Sequence, residues 1–304
     1  MLITVLGSAA GGGFPQWNCH CAGCRRAFAG DPAARPRTQS SLAVSADGES
    51  WVLLNATPDL RQQILNTPVL HPRQAPRHSP IAAVVLSNAD VDHVTGLLVL
   101  RESYPFTVHA TPRIQAVLAA NRIFDVLNRD LVRREPLSLG RPVPVTGPQG
   151  PTGITVEVFA VPGKIALYLE EGTPDVGAET EDTVGLRVSA GDKSFFYIPG
   201  CAQVTPALAD RLRGSELVFF DGTLWTDDEM IRHDTGIKTG RRMGHISVSG
   251  PGGTIAAFAG LDVRRKVFIH INNTNPMLLD DAPERAEAEA AGWTVAHDGL
   301  SLTL

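Results

Sequence analysis

The sequence has no apolar stretch that approaches the ~20 residues of a membrane-spanning helix. Its first residues, MLITVLGSAAGGG, have no basic start, and their apolar run is too short for a secretory signal. Runs of Lys and Arg are also missing, and the formal net charge is -5. These absences argue against membrane insertion, secretion and a nucleic-acid partner, so we expect a cytoplasmic protein.

Cysteine is scarce, and three of the four cysteines lie within six residues. Such clustering in a cytosolic chain favours a bound metal over disulfides. Cys19, Cys21 and Cys24 have the spacing C-x-C-x-x-C, which lets three sulfurs converge on one structural zinc ion. The fourth ligand stays open between His20, whose direction is poor, and a distant histidine or asparagine. Three buried, reduced cysteines are the alternative interpretation.

What the sequence does contain is ordinary globular composition, with 43% hydrophobic and 19% charged residues over 304 positions. Strand patterns alternate with helical ones, and each half of the chain starts with a strand hairpin. A Pro/Gly-rich loop over 135–152 separates the halves. We therefore predict an α/β protein with one domain over 1–304 and two similar halves, roughly 1–135 and 153–304. Two mixed sheets packed face to face, with helices outside, would satisfy this order.

Individual elements follow from local patterns. SSLAVSA and SWVLLNA predict a hairpin around the intervening DGE, and PIAAVVLSN predicts a buried strand at 80–88. Thr-Pro pairs predict that helices begin at Thr57, Thr111 and Thr205. Further predictions are helices over 57–66, 92–103, 111–128 and 205–213 and a strand over 165–170.

The stretch AAVVLSNADVDHVTGLLVL reads as a strand, a polar turn and a helix. Its turn contains four side chains that can accept hydrogen bonds or bind a metal: Asn88, Asp90, Asp92 and His93. His270 lies at the end of another strand, KVFIHIN, and ligands bind at strand ends in mixed α/β sheets. Asp92, His93 and His270 would place two imidazoles and one carboxylate on one ion. This set suits non-haem Fe(II), and zinc can bind it too.

The turn resembles a motif of the metallo-β-lactamase superfamily, H-x-H-x-D-H-x-x-G-L. Asp92, His93, Gly96 and Leu97 of this sequence match the motif. The two remaining histidine positions of the motif are occupied by Asn88 and Asp90. The resemblance implies an αββα sandwich that keeps one metal site and has lost the other.

Three further segments carry the same resemblance. The segment HINN at His270 resembles the last ligand loop of the superfamily, and GHISV at 244–248 resembles the His-Ser/Thr loop of its tRNA-processing and phosphodiesterase branches. The cysteine loop resembles the structural zinc loop of the phosphodiesterase branch, whose fourth ligand corresponds to Asn273 here. The usual metal-bridging aspartate is replaced near Gly200 and Cys201.

The whole chain resembles one family of this superfamily, whose members take part in pyrroloquinoline quinone (PQQ) biosynthesis. The motifs that carry this resemblance are GSAAGGGFPQWNCHC, NATPDLRQQI, SNADVDHVTGLL, YIPGCA, FFDGTLW, RMGHISV and FIHINNTNPML. It implies an Fe(II)- and O2-dependent hydroxylase that acts on the tyrosine ring of a Glu–Tyr-derived precursor, either a small molecule or a peptide. Other PQQ-biosynthesis proteins are expected partners. The alternatives are a soluble carrier of PQQ or its precursor towards the periplasm and a mononuclear zinc hydrolase.

This resemblance also implies roles for residues around the metal. Asn88 and Asp90, freed from metal ligation, are expected to hydrogen-bond substrate or bound oxygen. His245 is expected to act as acid or base. Arg241 and Arg242 are expected to pair with the carboxylates of a diacid substrate.

Other polar residues have two interpretations each. Asp221 caps a turn or faces the pocket, with the structural role favoured. Cys201 is a small buried side chain or a thiolate near the iron. His233 and Asp234 lie in a loop that is either solvated or a mobile lid. The remaining histidines are expected to be structural or on the surface: His20, His71, His78, His109 and His297.

Overall fold

The computed structural model describes residues 1–172 and 175–304, and in this part of the chain the strands form two sheets of seven. In chain order the strands are β1 (Leu2–Gly7), β2 (Ser41–Ser45), β3 (Trp51–Leu54), β4 (Ile81–Val85), β5 (Phe106–Ala110), β6 (Val132–Pro136), β7 (Val143–Gly147), β8 (Gly150–Gly163), β9 (Ala178–Ala190), β10 (Lys193–Ile198), β11 (Leu217–Asp221), β12 (Arg265–Ile269), β13 (Trp293–Val295) and β14 (Ser301–Thr303).

The two sheets repeat one order of strand directions. The first sheet has the order β14-β1-β2-β3-β4-β5-β6, antiparallel as far as β3 and parallel beyond it. The second has the order β7-β8-β9-β10-β11-β12-β13, antiparallel as far as β10 and parallel beyond it. This confirms the prediction of two mixed sheets.

Helices connect the strands of the two sheets. They are α1 (Ala22–Phe28), α2 (Leu60–Asn66), α3 (Val91–Val94), α4 (Pro112–Ala120), α5 (Pro206–Leu212), α6 (Glu229–Arg232), α7 (Gly240–Met243), α8 (Thr254–Phe258) and α9 (Pro283–Ala290). Within the described ranges, none of the helices has the length and apolar character needed to cross a membrane.

Three apolar clusters hold these layers together. One lies between the sheets, where Val52 and Val85 pack with Leu186 and Phe219. A second packs α2 and α4 on the outer face of the first sheet. A third packs α1, α5, α8 and α9 on the outer face of the second sheet. Because each sheet buries both faces, the order of layers is αββα, as the resemblance implied.

Two of the three Thr-Pro helix starts are confirmed. The hydroxyl of Thr111 accepts a hydrogen bond from the Ile114 N–H, and that of Thr205 accepts one from the Leu208 N–H. The start at Thr57 was wrong. Its hydroxyl donates to the side chain of Gln63, 3.1 Å away, and α2 begins only at Leu60.

Four other element predictions needed correction. Residues 165–170 form no strand but contain a 3-10 turn, Leu167–Leu169. The helices predicted over 92–103 and 111–128 are shorter, and each is followed by a 3-10 turn. The loop predicted over 135–152 contains the end of β6, all of β7 and the start of β8, because Val143 pairs with Val156 across a hairpin. In the last case, strand pairing across the hairpin overrides a local pattern.

Candidate metal centre and its surroundings

The candidate centre lies where strands of the two sheets end. The turn after β4 leads into α3, which carries Asp92 and His93. Strand β11 ends at Asp221, and His270 directly follows β12. His270 has a φ of 57°, an uncommon left-handed backbone conformation for a residue other than glycine. Carboxyl ends of parallel strands are a common place for ligand sites.

Asp92, His93 and His270 converge as the sequence predicted. One ligand atom from each lies within 4.8 Å of the other two. Asp92 Oδ2 is 3.1 Å from His270 Nε2 and 3.9 Å from His93 Nε2. The spacing and donor set fit one metal ion bound by two imidazoles and one carboxylate.

The surroundings of His93 suit its ring to bind a metal ion. Its Nδ1 donates to Asn88 Oδ1 at 2.7 Å, so its other ring nitrogen keeps a lone pair. That Nε2 is buried and has no hydrogen-bond partner among the residues that the structure describes. Burial lowers the pKa of His93 to about 4, so the ring is neutral at pH 7. A buried lone pair of this kind fits a metal ion.

The other two ligands, Asp92 and His270, form an ion pair with each other. Burial by itself would raise the pKa of Asp92, but His93 and the hydrogen bond from His270 outweigh it and hold that pKa below its usual range. Burial would lower the pKa of His270, but the Asp92 carboxylate raises it. A metal ion therefore has to displace the proton between His270 and Asp92.

Asn88 and Asp90 pair with each other beneath the ligands. Asn88 Nδ2 donates to Asp90 Oδ2 at 2.9 Å, while Asn88 Oδ1 accepts from His93 and from the Asp90 N–H. Burial and the charge of Asp92 raise the pKa of Asp90. Sequence reasoning placed Asn88 against substrate or oxygen. In the structure both polar atoms of its side chain have protein partners, so its visible role is to orient His93.

A second polar cluster joins His270 to His245 through Thr223. Thr223 Oγ1 donates to Asp221 Oδ1 at 2.7 Å and lies 2.9 Å from His270 Nδ1. His245 Nδ1 lies 2.7 Å from Asp221 Oδ2, and its ring stacks on that of His270 with centroids 5.2 Å apart. His270 therefore donates through Nδ1 and keeps Nε2 for the centre.

Asp221 combines the two roles that the sequence suggested, a structural role in a turn and a role at the site. It is completely buried, accepts the N–H groups of Cys201 and Thr223, and also faces His245. Burial by itself would raise the pKa of Asp221, but the electrostatic interaction and the hydrogen bond with His245 outweigh it and hold that pKa below its usual range. Asp221, His245 and His270 also lie close enough to bind an ion. Because both Asp221 oxygens already accept protein hydrogen bonds, we assign the ion to Asp92, His93 and His270.

The three clustered cysteines meet at one point, with their sulfurs within 4.8 Å of one another. Asn273 lies against all of them, its Nδ2 being 3.1 Å from Cys19 Sγ and 3.4 Å from Cys24 Sγ. His20, the neighbouring alternative, is exposed. The arrangement fits a structural zinc ion, and a turn of the Asn273 amide would present its oxygen as the fourth ligand.

The predicted substrate arginines differ from each other. Arg241 is exposed, whereas Arg242 binds the carboxylate of Glu170 at 2.8 Å. Cys201 is a buried thiol whose Sγ lies 3.1 Å from the Gln203 carbonyl oxygen, and burial raises its pKa. His233 and Asp234 are exposed, whereas His109 is buried; His71, His78 and His297 are half-buried.

Sequence reasoning missed several residues that shape the centre. Thr223 lies in the FFDGTLW motif, but its hydroxyl has no local signature of a histidine partner. Asn55, in NATPD, has a φ of 64° and binds the Ser87 backbone N–H at 2.9 Å, which supports the turn from below. Glu170 lies at the end of the segment predicted as a strand, and Lys164 directly precedes that segment. All of these act through contacts far apart in sequence.

Comparison with known proteins identifies the family and the fold of the chain. Residues 50–271 match the family described as the β-lactamase superfamily domain. Coenzyme PQQ synthesis protein B from Gluconacetobacter diazotrophicus is 58% identical, with 99% of each chain covered. The crystal structure of Zn2+-bound PqqB from Methylobacterium extorquens is 55% identical and covers 100% of both chains, with a TM-score of 0.96. The chain belongs to the coenzyme PQQ synthesis protein B family of this superfamily.

A more distant solved structure shows the shared fold alone. A diphosphatase of the PhnP family is 22% identical, with a TM-score of 0.69 over 99% of this chain and 96% of its own. At this identity the likeness extends to the arrangement of sheets and helices. It carries no information on the reaction of this chain.

Proposed function

We propose that the chain acts in pyrroloquinoline quinone biosynthesis as an Fe(II)- and O2-dependent hydroxylase of the tyrosine ring in a Glu–Tyr-derived precursor. The names of its full-length relatives support the pathway. The observation that carries the chemistry is the convergence of Asp92, His93 and His270, with His93 Nε2 buried and unpartnered within the described part of the chain. When Fe(II) is bound, such a set leaves positions open to O2 and substrate.

A single ion is favoured over a dinuclear hydrolase centre. Asn88 and Asp90 replace two histidines of the superfamily motif, and the structure uses both in hydrogen bonds around His93. Position 200 is a glycine, and a Cβ there would lie 3.4 Å from His245 Cε1, in a place that the usual bridging carboxylate would need. The surroundings therefore support one ion and a nearby acid–base group.

His245 is the residue best placed to move a proton. Its Nδ1 donates to the buried Asp221 carboxylate, which fixes the tautomer and leaves Nε2 free. The side chain is 17% exposed, so a substrate can reach it. In our proposal His245 Nε2 takes the phenolic proton of the substrate, which makes the ring richer in electrons and easier to oxygenate.

The first test is anaerobic reconstitution with Fe(II) of the wild type, His93→Ala and the control His71→Ala, which removes a histidine outside the centre. We expect about one iron beyond one zinc in the wild type and the control, and loss of the iron in His93→Ala. With a tyrosine-containing diacid, only proteins that hold iron should consume O2 and add oxygen to the substrate, measured by an oxygen electrode and mass spectrometry.

A zinc hydrolase is the second candidate, because a relative with 55% identity was crystallised with Zn2+ bound. It would retain zinc in the centre and cleave a peptide or ester bond without consuming O2. A third result, tight binding of the quinone with no reaction under either metal, would replace the hydroxylase proposal by a carrier function. Either result would contradict our proposal.

A further inference from the structure

Glu170 is a carboxylate held between two cations. Its Oε2 lies 2.8 Å from Arg242 Nη2, and its Oε1 lies 3.0 Å from Lys164 Nζ. The side chain of Glu170 is only 7% exposed, compared with 12% for Lys164 and 36% for Arg242. The hydrogen bond from Arg242, together with Lys164, lowers the pKa of Glu170 to about 2. The glutamate is thus ionised and well enclosed.

This ion cluster lies directly beside the candidate centre. A Cβ on Gly244, the residue before His245, would lie 3.2 Å from Lys164 Cγ. On the other side, the Tyr168 hydroxyl donates to the Ala89 carbonyl oxygen at 2.8 Å, one residue from both Asn88 and Asp90. The segment from Lys164 to Glu170 therefore lies between the His245 loop and the turn that carries the metal ligands.

The charges of the cluster do not balance. Lys164 and Arg242 bring two positive charges to one carboxylate. More than a third of the Arg242 side chain faces solvent, so an incoming anion can reach the guanidinium. A guanidinium and an ammonium that share one carboxylate form a site of the kind that binds carboxylates.

We propose that Lys164 and Arg242 form the subsite for a carboxylate of the substrate, and that Glu170 occupies this subsite until the substrate displaces it. This inference rests on the proposed function, which supplies a tyrosine-derived diacid as substrate. The phenol ring would then reach His245 and the metal while the carboxylate is held at the end of the segment. Leu167 and Tyr168, 56% and 45% exposed, add apolar surface beside the subsite.

The competing explanation is that Glu170 has a permanent structural role. In that case Glu170 only ties its segment to α7, and substrate carboxylates bind elsewhere. The two explanations predict opposite effects of neutralising Glu170. Removing a displaceable competitor strengthens binding of a carboxylate ligand, whereas removing a structural contact loosens the site and weakens binding.

The probe is γ-glutamyl-tyrosine, which has two carboxylates, and the comparison is its dimethyl ester, which keeps the ammonium group but has no carboxylate. Calorimetric titration of the zinc-loaded protein measures binding without oxygenation, which requires Fe(II) and O2. We expect the diacid to bind the wild type about tenfold more tightly than the ester. Glu170→Gln should tighten the diacid severalfold and leave the ester unchanged. Lys164→Gln and Arg242→Gln should each weaken the diacid roughly tenfold and leave the ester unchanged.

Glu216→Gln is the matched control. Glu216 is likewise held by two cations, Arg264 and Arg265, but it precedes β11 at the strand end opposite the centre. Glu216→Gln therefore measures the long-range effect of losing one negative charge. The affinity of this variant for the diacid should equal that of the wild type. Melting temperatures verify that each variant folds. If Glu170→Gln does not fold, Glu170→Asp is the second variant. Its shorter side chain should pair less well with Lys164 and Arg242, so it should increase the affinity for the diacid to a smaller extent.

Diacid affinity that falls or stays constant in Glu170→Gln would overturn the inference, and so would a wild type that binds diacid and ester equally. Failure of the proposed function appears separately, because binding to the zinc-loaded protein requires neither Fe(II) nor O2. Diacid binding as expected without any oxygenation would remove the hydroxylase and keep the subsite. Oxygenation of the substrate without tighter diacid binding in Glu170→Gln would keep the hydroxylase and remove the subsite.

Discussion

At the scale of single residues, Asn88 shows how a lost metal ligand acquires another use. It occupies a histidine position of the superfamily motif, yet its amide oxygen accepts the Nδ1 hydrogen of His93 at 2.7 Å. Its amide nitrogen meanwhile donates to Asp90 at 2.9 Å. Partners behind a ligand fix the tautomer and the direction of the ring, and their loss weakens metal binding.

Asn88→Ala should therefore lower the affinity of the centre for Fe(II) or Zn2+ by about tenfold or more. The reason is that His93 loses the acceptor that directs its Nε2 towards the ion. Competition with a chelator of known affinity measures the effect. Asn66→Ala, which changes an exposed asparagine at the end of α2, is the control and should bind metal like the wild type. Equal affinities in both variants would refute the positioning role of Asn88.

Glu229 is a buried acid whose carboxylate has no cationic partner among the residues that the structure describes. It is 1% exposed and accepts from the Trp225 N–H at 2.7 Å and from Thr274 Oγ1 at 2.5 Å. Burial raises its pKa from 4.5 to about 7. Thr274 follows Asn273, so Glu229 supports the loop that reaches the cysteines. Ionisation of this buried carboxyl group therefore costs the folded state free energy.

The raised pKa gives a pH dependence of defined sign. Between pH 4.5 and about 7 the folded state holds a proton that the unfolded state has released, so stability falls as pH rises. Above pH 7 the loss is complete and amounts to roughly 3 kcal/mol. Glu229→Gln is neutral throughout, so its free energy of unfolding relative to wild type should increase from pH 5 to pH 8.

Urea unfolding of the zinc-loaded proteins at several pH values measures this difference. Glu287→Gln, an exposed change on α9, is the comparison and should follow the wild-type pH profile. A difference between Glu229→Gln and wild type that is constant with pH would show that Glu229 does not titrate with a raised pKa.

At the scale of elements, the short helix α3 is positioned by close backbone contact. The Gly96 N–H donates to the Ala56 carbonyl oxygen at 2.9 Å, and the Ala56 N–H donates to the His93 carbonyl oxygen at 2.7 Å. A Cβ on Gly96 would lie 2.3 Å from the Thr57 carbonyl oxygen. Only glycine lets the turn after α3 approach the loop after β3 so closely.

Gly96→Ala should therefore push α3 away from that loop and lower the free energy of unfolding by about 2 kcal/mol. It should also reduce metal binding, because α3 carries Asp92 and His93. Gly260→Ala is the matched control, since a Cβ there meets nothing within 4 Å. Denaturant unfolding and metal analysis of both variants check the prediction. A stable, fully metallated Gly96→Ala would rule out the close contact.

Elements were predicted well where one local pattern decides them. The caps at Thr111 and Thr205 need only a hydroxyl, a proline and an N–H three residues on. The prediction failed over 165–170, where apolar residues alternate but the segment is fixed by side-chain contacts of Lys164, Tyr168 and Glu170. Pairing of Val143 with Val156 likewise turned a Pro/Gly-rich stretch into a hairpin.

At the scale of the whole molecule, the halves of the chain are interlocked. Strand β14, from the end of the chain, pairs with β1 at the start. The cluster between the sheets takes Val44 and Val52 from one half and Val188 and Phe219 from the other. Each half alone would expose an apolar sheet face to water. We propose that residues 1–304 fold as one unit, although the sheets repeat a common order of strands.

Fragments 1–135 and 153–304, produced separately, should therefore lack cooperative unfolding and near-ultraviolet circular dichroism. The cause is the loss of the apolar contact between the sheets, which neither half can replace. Thermal and denaturant scans of each fragment, with the full chain as the reference, measure this. Cooperative melting of either fragment by itself would show that the halves are independent domains.

The sequence by itself determined the local parts of this protein. Strand patterns, the Thr-Pro caps, the Asp92–His93 pair and the C-x-C-x-x-C spacing all depend on neighbours within a few residues, and their signals are readable without a fold. The resemblance added the sandwich and pointed to His270 and Asn273 as distant ligands. Propensity and spacing act over such short distances because they reflect backbone dihedrals and side-chain period.

Only the tertiary structure decided which distant groups meet. Asp92 and His270 are 178 residues apart, and Glu170 and Arg242 are 72 apart. Such pairs are set by how the apolar faces of the two sheets pack, which no local pattern encodes. The contacts of the Thr223 hydroxyl, the buried lone pair of His93 and the ion pairs of Glu170 all follow from that packing, because burial decides which polar atoms have partners.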